Sequence, residues 1–497
     1  MGLLILQESE CVMNPMLKRW CGYGWILAIS WLVLSAELQA AEKNAKPPNI
    51  LFVFADDQAF NTIAALGNQE IRTPHLDRIV QDGMTFTHTF NQGSWSGAVC
   101  VASRCMLNTG RFLWNANRIY GQTEKERQAG RFWSEHLKKA GYETYMTGKW
   151  HVRADATKAF DRAGHVRGGM PNQTPEGYNR PRKGQPDPWK PWDEKFGGFW
   201  KGGKHWSEVV GDDAVSFLEQ AAKSESPFFM YLAFNAPHDP RQSPKRFVDM
   251  YPLDKIAVPR SYVPEYPFKE AMGSGVKLRD EKLAPFPRTE HAVKVNRQEY
   301  YAIITHMDQQ IGRIMEALKK SGKADNTYIF FTADHGLAVG HHGLMGKQNM
   351  FDHSVRVPFV VIGPGITGGT RSDAWIYLQD VMPTTLELAG VKKPGHVQFK
   401  SLLPLIKGET KKGYDAVYGA YLALQRSVRE GPYKLILYPK IAQQVLYNVE
   451  QDPLELKDLA GDAKYLEVKK KLFARLLELQ QQTGDKLELT TTFADLQ

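Results

Sequence analysis

The sequence predicts an α/β protein: a mostly parallel sheet flanked by helices on both faces, followed by a small C-terminal α+β subdomain with an antiparallel sheet. Three observations predict it. Short apolar runs rich in strand formers alternate with amphipathic helical stretches, the pattern of parallel strands covered by crossover helices. Two of these runs end in a pair of metal-ligating side chains, and ligands gather at the carboxyl ends of strands in such sheets. Beyond about residue 395 the runs become short and closely spaced, and one helical stretch follows them.

In chain order, Pro48-Asn49-Ile50-Leu51-Phe52-Val53-Phe54-Ala55 reads as the first strand and ends in Asp56-Asp57. Residues 74–82 and 131–140 have helical periodicity, and Tyr142-Glu143-Thr144-Tyr145-Met146 reads as a strand leading to Gly148-Lys149-Trp150-His151. A helix over 212–223 precedes a buried strand over 228–234, which runs into Asn235-Ala236-Pro237-His238. The long amphipathic stretch 298–320 is a helix, and the apolar run 327–332 is a strand closed by Asp334-His335-Gly336. Phe359-Val360-Val361-Ile362 adds a strand, and Asp380-Val381-Met382-Pro383 opens a helix with proline near its first turn. Runs over 416–421 and 433–438, then a helix over 465–482, complete a subdomain spanning 395–497, after a large domain spanning 45–394.

The first forty residues follow another pattern. Lys18-Arg19 precede an apolar run over 21–34, and small residues lead to Ala40-Ala41, the layout of a secretory signal peptide spanning 1–40. The run is short for a transmembrane helix, so export to the periplasm or medium without stable membrane association is expected. Of four cysteines, only Cys100 and Cys105 lie beyond that segment, so no disulfide is expected. Removing the segment takes away two basic and three acidic residues, raising the formal charge from +9 to +10. A basic chain attracts anions. No nucleic-acid-binding motif is present, and an exported protein seldom meets nucleic acid, so none is expected as a partner.

The most informative stretch is Cys100-Val101-Ala102-Ser103-Arg104. If it opens a helix, residue 100 sits where unpaired N–H groups and the helix dipole favour an oxyanion. Arg104 then lies one turn along the same face, with a rigid donor fork suited to a tetrahedral anion. A helix start with an ordinary buried cysteine would read the same way, since free cysteine is commonly core. Either acidic pair at a strand end equally fits a carboxylate that caps the next helix.

With its continuation to Gly110-Arg111, this stretch resembles the signature of the type I, formylglycine-dependent sulfatases, although that family usually has proline where this chain has Ala102. The resemblance implies an alkaline-phosphatase-like fold, with Cys100 oxidised by a formylglycine-generating maturation enzyme. It also implies one Ca²⁺ held by Asp56, Asp57, Asp334 and His335 with an oxygen of residue 100. Many relatives place asparagine at position 335. Lys149 and His151 resemble the family's sulfate-facing lysine and histidine, and Lys347, in Gly340-His341-His342-Gly343-Leu344-Met345-Gly346-Lys347, its second lysine. His238 matches the histidine that protonates the leaving alcohol, which makes it the expected general acid.

Residues 152–206 are rich in Gly, Pro, Trp, Lys and Arg, and include Pro188-Trp189-Lys190-Pro191-Trp192, Trp200 and Trp206. They suit either a wall that stacks on sugar and meets sulfate or a surface excursion packed on the core. Residues 240–297 are the candidate for an opposite wall. The implied function is hydrolysis of a sulfate ester on a sulfated carbohydrate. A phosphodiesterase or phosphonate hydrolase of the same superfamily, or a non-catalytic binder of sulfated glycan, are the alternatives.

Overall fold

The central strand, β1 (Asn49–Ala55), is buried at every position because both faces of the sheet are covered. In the computed structural model, which describes residues 46–169, 175–199, 203–239 and 241–497, Pro48–Gln497 form one unit. The signal-peptide reading and Trp200 lie outside the described residues.

Around β1 stand β2 (Met84–Phe90), β3 (Glu143–Lys149), β4 (Arg162–Arg167), β5 (Phe228–Ala233), β6 (Thr327–Ala333), β7 (Phe359–Ile362) and β8 (Thr370–Tyr377). Their order across the sheet is β8-β2-β7-β6-β1-β5-β3-β4, with the two-residue strand Arg356–Val357 pairing to β2 as a ninth. The sheet is mixed: β7 runs antiparallel to both β6 and β2, and the other pairs along that order are parallel.

Register positions the chemistry. Ala55 pairs with Ala333, so Asp56 and Asp334 leave neighbouring strands at one level. Gly148 pairs with Ala233, and Phe54 pairs with the same alanine, which brings Lys149 to that edge. Gly148 has φ of +93°, and a Cβ there would lie 1.8 Å from the Ala233 carbonyl oxygen. Only glycine lets these strands close at that point.

Helices α1 (Pro74–Asp82), α2 (Val99–Thr109), α3 (Leu113–Ile119), α4 (Trp133–Lys139), α5 (Trp206–Ala221) and α6 (Glu290–Lys320) accompany the sheet. Two begin earlier than their periodicity predicts, because each start is set by a polar cap. The Thr289 hydroxyl accepts from the Ala292 N–H at α6, and the His205 ring accepts from the Ser207 N–H at α5. Across the elements, Asp308 of α6 accepts from the Leu76 and His75 N–H groups of α1 at 2.7 and 3.2 Å.

The second sheet is an antiparallel meander of β9 (Ala416–Tyr421), β10 (Gln425–Glu430), β11 (Tyr433–Tyr438) and β12 (Gln443–Asn448), packed on α7 (Leu466–Thr483). A short strand, Gly93–Ser94, pairs parallel with β9. The chain therefore leaves this sheet and, five residues later, enters α2. No helix among the described residues is long and apolar enough to cross a membrane.

Candidate active site

Cys100 is the second residue of α2, and no side chain caps that helix start. Its Sγ lies 3.2 Å from His151 Nδ1. Burial raises the Cys100 thiol, but the Lys149 ammonium and hydrogen bonds from His151 and His335 outweigh it and leave the thiol well below its usual range.

Beneath it the strand ends converge. Asp56, Cys100, Asp334 and His335 offer ligand atoms all within 4.8 Å of one another, and Asp56, Asp57 and His238 form a second such group. Asp56 Oδ1 is buried and accepts no hydrogen bond, so a lone pair there is left for another partner. Three carboxylates with one imidazole fit a hard cation. Asp57 holds φ of +68° and its N–H donates to Asp334 Oδ1 at 3.1 Å, while Tyr300 of α6 donates to the Asp57 carbonyl at 2.6 Å. A left-handed aspartate locked at both backbone groups is strain held in place by its surroundings.

Three lysine and arginine cations, Lys149, Lys347 and Arg104, answer these carboxylates. Lys149 ion-pairs with Asp56, and Lys347 Nζ lies 2.9 and 2.7 Å from the two Asp57 oxygens and 3.0 Å from His238 Nε2. Arg104 is fully buried: Nε reaches Asp334 Oδ2 at 3.0 Å, Nη1 reaches the Lys149 carbonyl at 2.7 Å, and the guanidinium covers Phe54 at 4.8 Å. Through these contacts Arg104 braces the acidic cluster. At His238 burial lowers the imidazole, but Asp57 and Asp239 outweigh that and raise it above its usual range. His335 is raised to about 9: burial opposes the charge, and the Asp334 and Asp57 carboxylates overcome it.

A pocket of about 260 Å³ opens above this floor, lined by Cys100, His151, His238 and Lys347 together with Gly97, Ala98, Leu278, Arg279, Asp280 and Gln348. Sequence reasoning missed the second set. Asp280 Oδ2 accepts from Gln348 Nε2 at 2.8 Å and lies 3.5 Å from Lys347 Nζ, and Arg279 pairs with Asp280 and, at 3.5 Å, with Asp239. The only sequence signal for Leu278, Arg279 and Asp280 is that they fall in the stretch 240–297 considered as a wall. The other candidate wall fares differently at its tryptophans. Trp206 is 2% exposed beneath the Arg167 guanidinium at 4.2 Å, and Trp189 is 5% exposed and stacked on Phe196 at 4.7 Å. Both are buried.

The sulfatase family model matches residues 48–391, which takes in every strand end described above. The chain belongs to the sulfatase family. A second family model, N-sulphoglucosamine sulphohydrolase, C-terminal, matches residues 340–482. This sulfatase is therefore a sulfuric ester hydrolase. It is 25% identical to an N-acetylglucosamine-6-O-sulfatase of Bacteroides thetaiotaomicron over 93% of this chain and 91% of that one. A solved protein in complex with its substrate D-glucosamine-2-N,6-O-disulfate superposes with a TM-score of 0.69 at 24% identity, covering 89% and 99% of the two chains. The phosphonate monoester hydrolase of Agrobacterium radiobacter gives 0.68 at 21%, covering 88% and 96%. The two structural likenesses speak to the fold alone.

Proposed function

We propose that this sulfatase removes sulfate from a carbohydrate ester, with a formylglycine made from Cys100 by a maturation enzyme and one Ca²⁺. The observation that carries the reading is the placement of Cys100: at an uncapped helix start, beside Asp56, Asp334 and His335 and within the field of Lys149 and Lys347. Asp56, Asp57, Asp334 and His335 would hold the ion, and oxygen-rich ligation favours calcium over zinc. Bound and matured, these groups supply a hydroxyl nucleophile at sulfur and a Lewis acid for its oxygens.

The chain's own residues do the rest. Lys149 and Lys347 present ammonium groups to the sulfate oxygens, where fixed charge in a buried site offsets the charge that builds in the transition state. Arg104 braces Asp334 and Asp56 so that the ligands keep their geometry. His238, held by Asp239 and raised toward its charged form, donates a proton to the leaving sugar oxygen. His151, beside residue 100, takes and returns the proton of the group that attacks.

Support for a sugar comes from the glucosamine-sulfate relatives and the basic charge of the chain. Export rests on the 1–40 segment alone. The phosphonate reading rests on fold likeness, and no residue of the pocket favours it. The test is the mass of the peptide carrying residue 100, from protein made with a maturation enzyme and assayed for sulfate release on sulfated glycan oligomers. The expected peptide has exchanged its thiol for an aldehyde in step with activity. Full activity with an unmodified thiol would refute the proposal.

A further inference from the structure

The segment that enters α2 connects the catalytic pocket with a second cleft. Gly97 and Ala98 line the pocket, while Trp95, two residues earlier, lines a cleft of about 540 Å³ with Trp114, Arg118, Arg426 and Lys486. Two residues of chain span at most about 7 Å, so the two hollows are close neighbours. The segment is pinned there: Gly93–Ser94 pairs with β9, and the Leu422 N–H donates to the Ser94 carbonyl at 2.9 Å. A second connection runs through side chains. Trp95 packs on Tyr120 at 5.6 Å, Tyr120 carries the Arg153 guanidinium at 4.8 Å, and Arg153 follows His151 by two residues.

The lining has a distinct chemistry. Trp95 and Trp114 are half-buried, each with part of an indole open to the cleft. Trp114 is held by its Nε1–H, which donates to the Tyr418 hydroxyl at 2.7 Å, and by Arg426 at 4.9 Å from the ring. Arg426 is itself spent, since Asp485 accepts from it at 2.6 and 2.9 Å. Arg118 and Lys486 are not: both are exposed, and neither makes an ion pair or hydrogen bond among the described residues. The cleft thus combines two fixed aromatic surfaces with two uncommitted cations, and its one carboxylate is neutralised.

We propose that this cleft is an outer subsite that binds a second, anionic sugar of an oligosaccharide whose scissile sulfate lies in the catalytic pocket. The inference rests on the carbohydrate reading above. Sugar C–H faces stack on indole, and a sulfate or carboxylate on that sugar meets Arg118 and Lys486. A single-stranded nucleic acid would use the same kinds of contact, so it must be tested as a competitor.

The experiment compares the full chain with its Arg118→Ala/Lys486→Ala double variant. Both positions are exposed and remote from the pocket floor, so the variant should fold. Binding of hexasaccharides from heparin, chondroitin sulfate and ulvan, and of a thymidine oligonucleotide, is followed by tryptophan fluorescence at fixed ionic strength. Turnover is measured on each hexasaccharide and on sulfated monosaccharides. At least one hexasaccharide should bind about tenfold or more weakly to the variant, the loss of two charged contacts. Its KM should rise with kcat nearly unchanged, while monosaccharide turnover stays at the wild-type level. The subsite is overturned if no hexasaccharide binding weakens, if mono- and hexasaccharide lose equally, or if the oligonucleotide binds as tightly. Absence of sulfate release from every sugar, with the binding shift intact, would instead refute the carbohydrate reading of the catalytic pocket.

Discussion

Cys100 and Cys105 stand on one helix, yet burial pushes the Cys105 thiol up to about 12, whereas at Cys100 the same burial is outweighed by Lys149 and the neighbouring imidazoles. Position along α2 decides which cysteine is chemically competent, because Cys100 stands among Asp56, Asp334 and His335 while Cys105 sits in the apolar core. Cys105→Ala should therefore leave kcat within about twofold and cost roughly 1 kcal/mol of stability, as small deletions in a core do. Denaturant titration beside an activity assay checks both. His238 gives a sharper case. If it protonates the leaving oxygen, His238→Ala should slow a sugar sulfate by about a hundredfold or more, and an aryl sulfate with a good leaving group far less. Equal losses on both would remove His238 from that role. His238, Asp56 and Asp334 were readable because each follows an apolar run, and Cys100 because it opens the stretch Cys100–Arg111. Asp280 and Arg279 were not, since no strand or glycine turn marks them and only the folded chain brings them to Lys347 and Gln348.

Between elements, the contact of α6 with α1 is polar at a point where the sequence reads as amphipathic packing. Asp308 caps α1 through two backbone N–H groups, and burial pushes its carboxyl up to about 7. Replacing it by alanine should cost about 1–2 kcal/mol. The pH dependence has a definite sign. An unfolded aspartate titrates near about 3.9, so between that value and about 7 the native state holds a proton that the unfolded chain has released. The Asp308 contribution then falls as pH rises through this window and is flat above it. Chemical denaturation across pH 4–8 should show the wild type losing stability relative to Asp308→Asn as pH rises; a gap that widens instead would contradict the assignment. Strand positions followed from apolar runs, but β2, β4, β8, β10 and β12 did not. Met84–Phe90 alternates threonine and histidine with apolar residues, and Arg162–Arg167 is polar, because these strands have a face that is not deep in the core.

At the scale of the molecule, the four-residue segment 95–98 carries the chain from Gly93–Ser94 of the second sheet to α2 at the candidate site. Its floor holds three buried carboxylates close together, which repel unless cations offset them. A cation that binds only the folded chain should raise Tm with the logarithm of its excess over Kd. Calcium is expected to raise Tm and restore chelated enzyme, and zinc to do neither as well. Stoichiometric zinc that alone supports activity would contradict the calcium assignment. The fold class was legible because alternation of strand and helix is a global pattern. Trp189 and Trp206 are buried, in keeping with the packing alternative for 152–206: indole suits both sugar and core, and composition does not say which side of the chain faces water.

The most direct test is sulfate release by wild type and by Cys100→Ser, both made in a host whose maturation enzyme oxidises only cysteine. The account predicts folded Cys100→Ser protein with turnover lower by roughly three orders of magnitude or more, as loss of a covalent nucleophile brings. Turnover near the wild-type rate would contradict it.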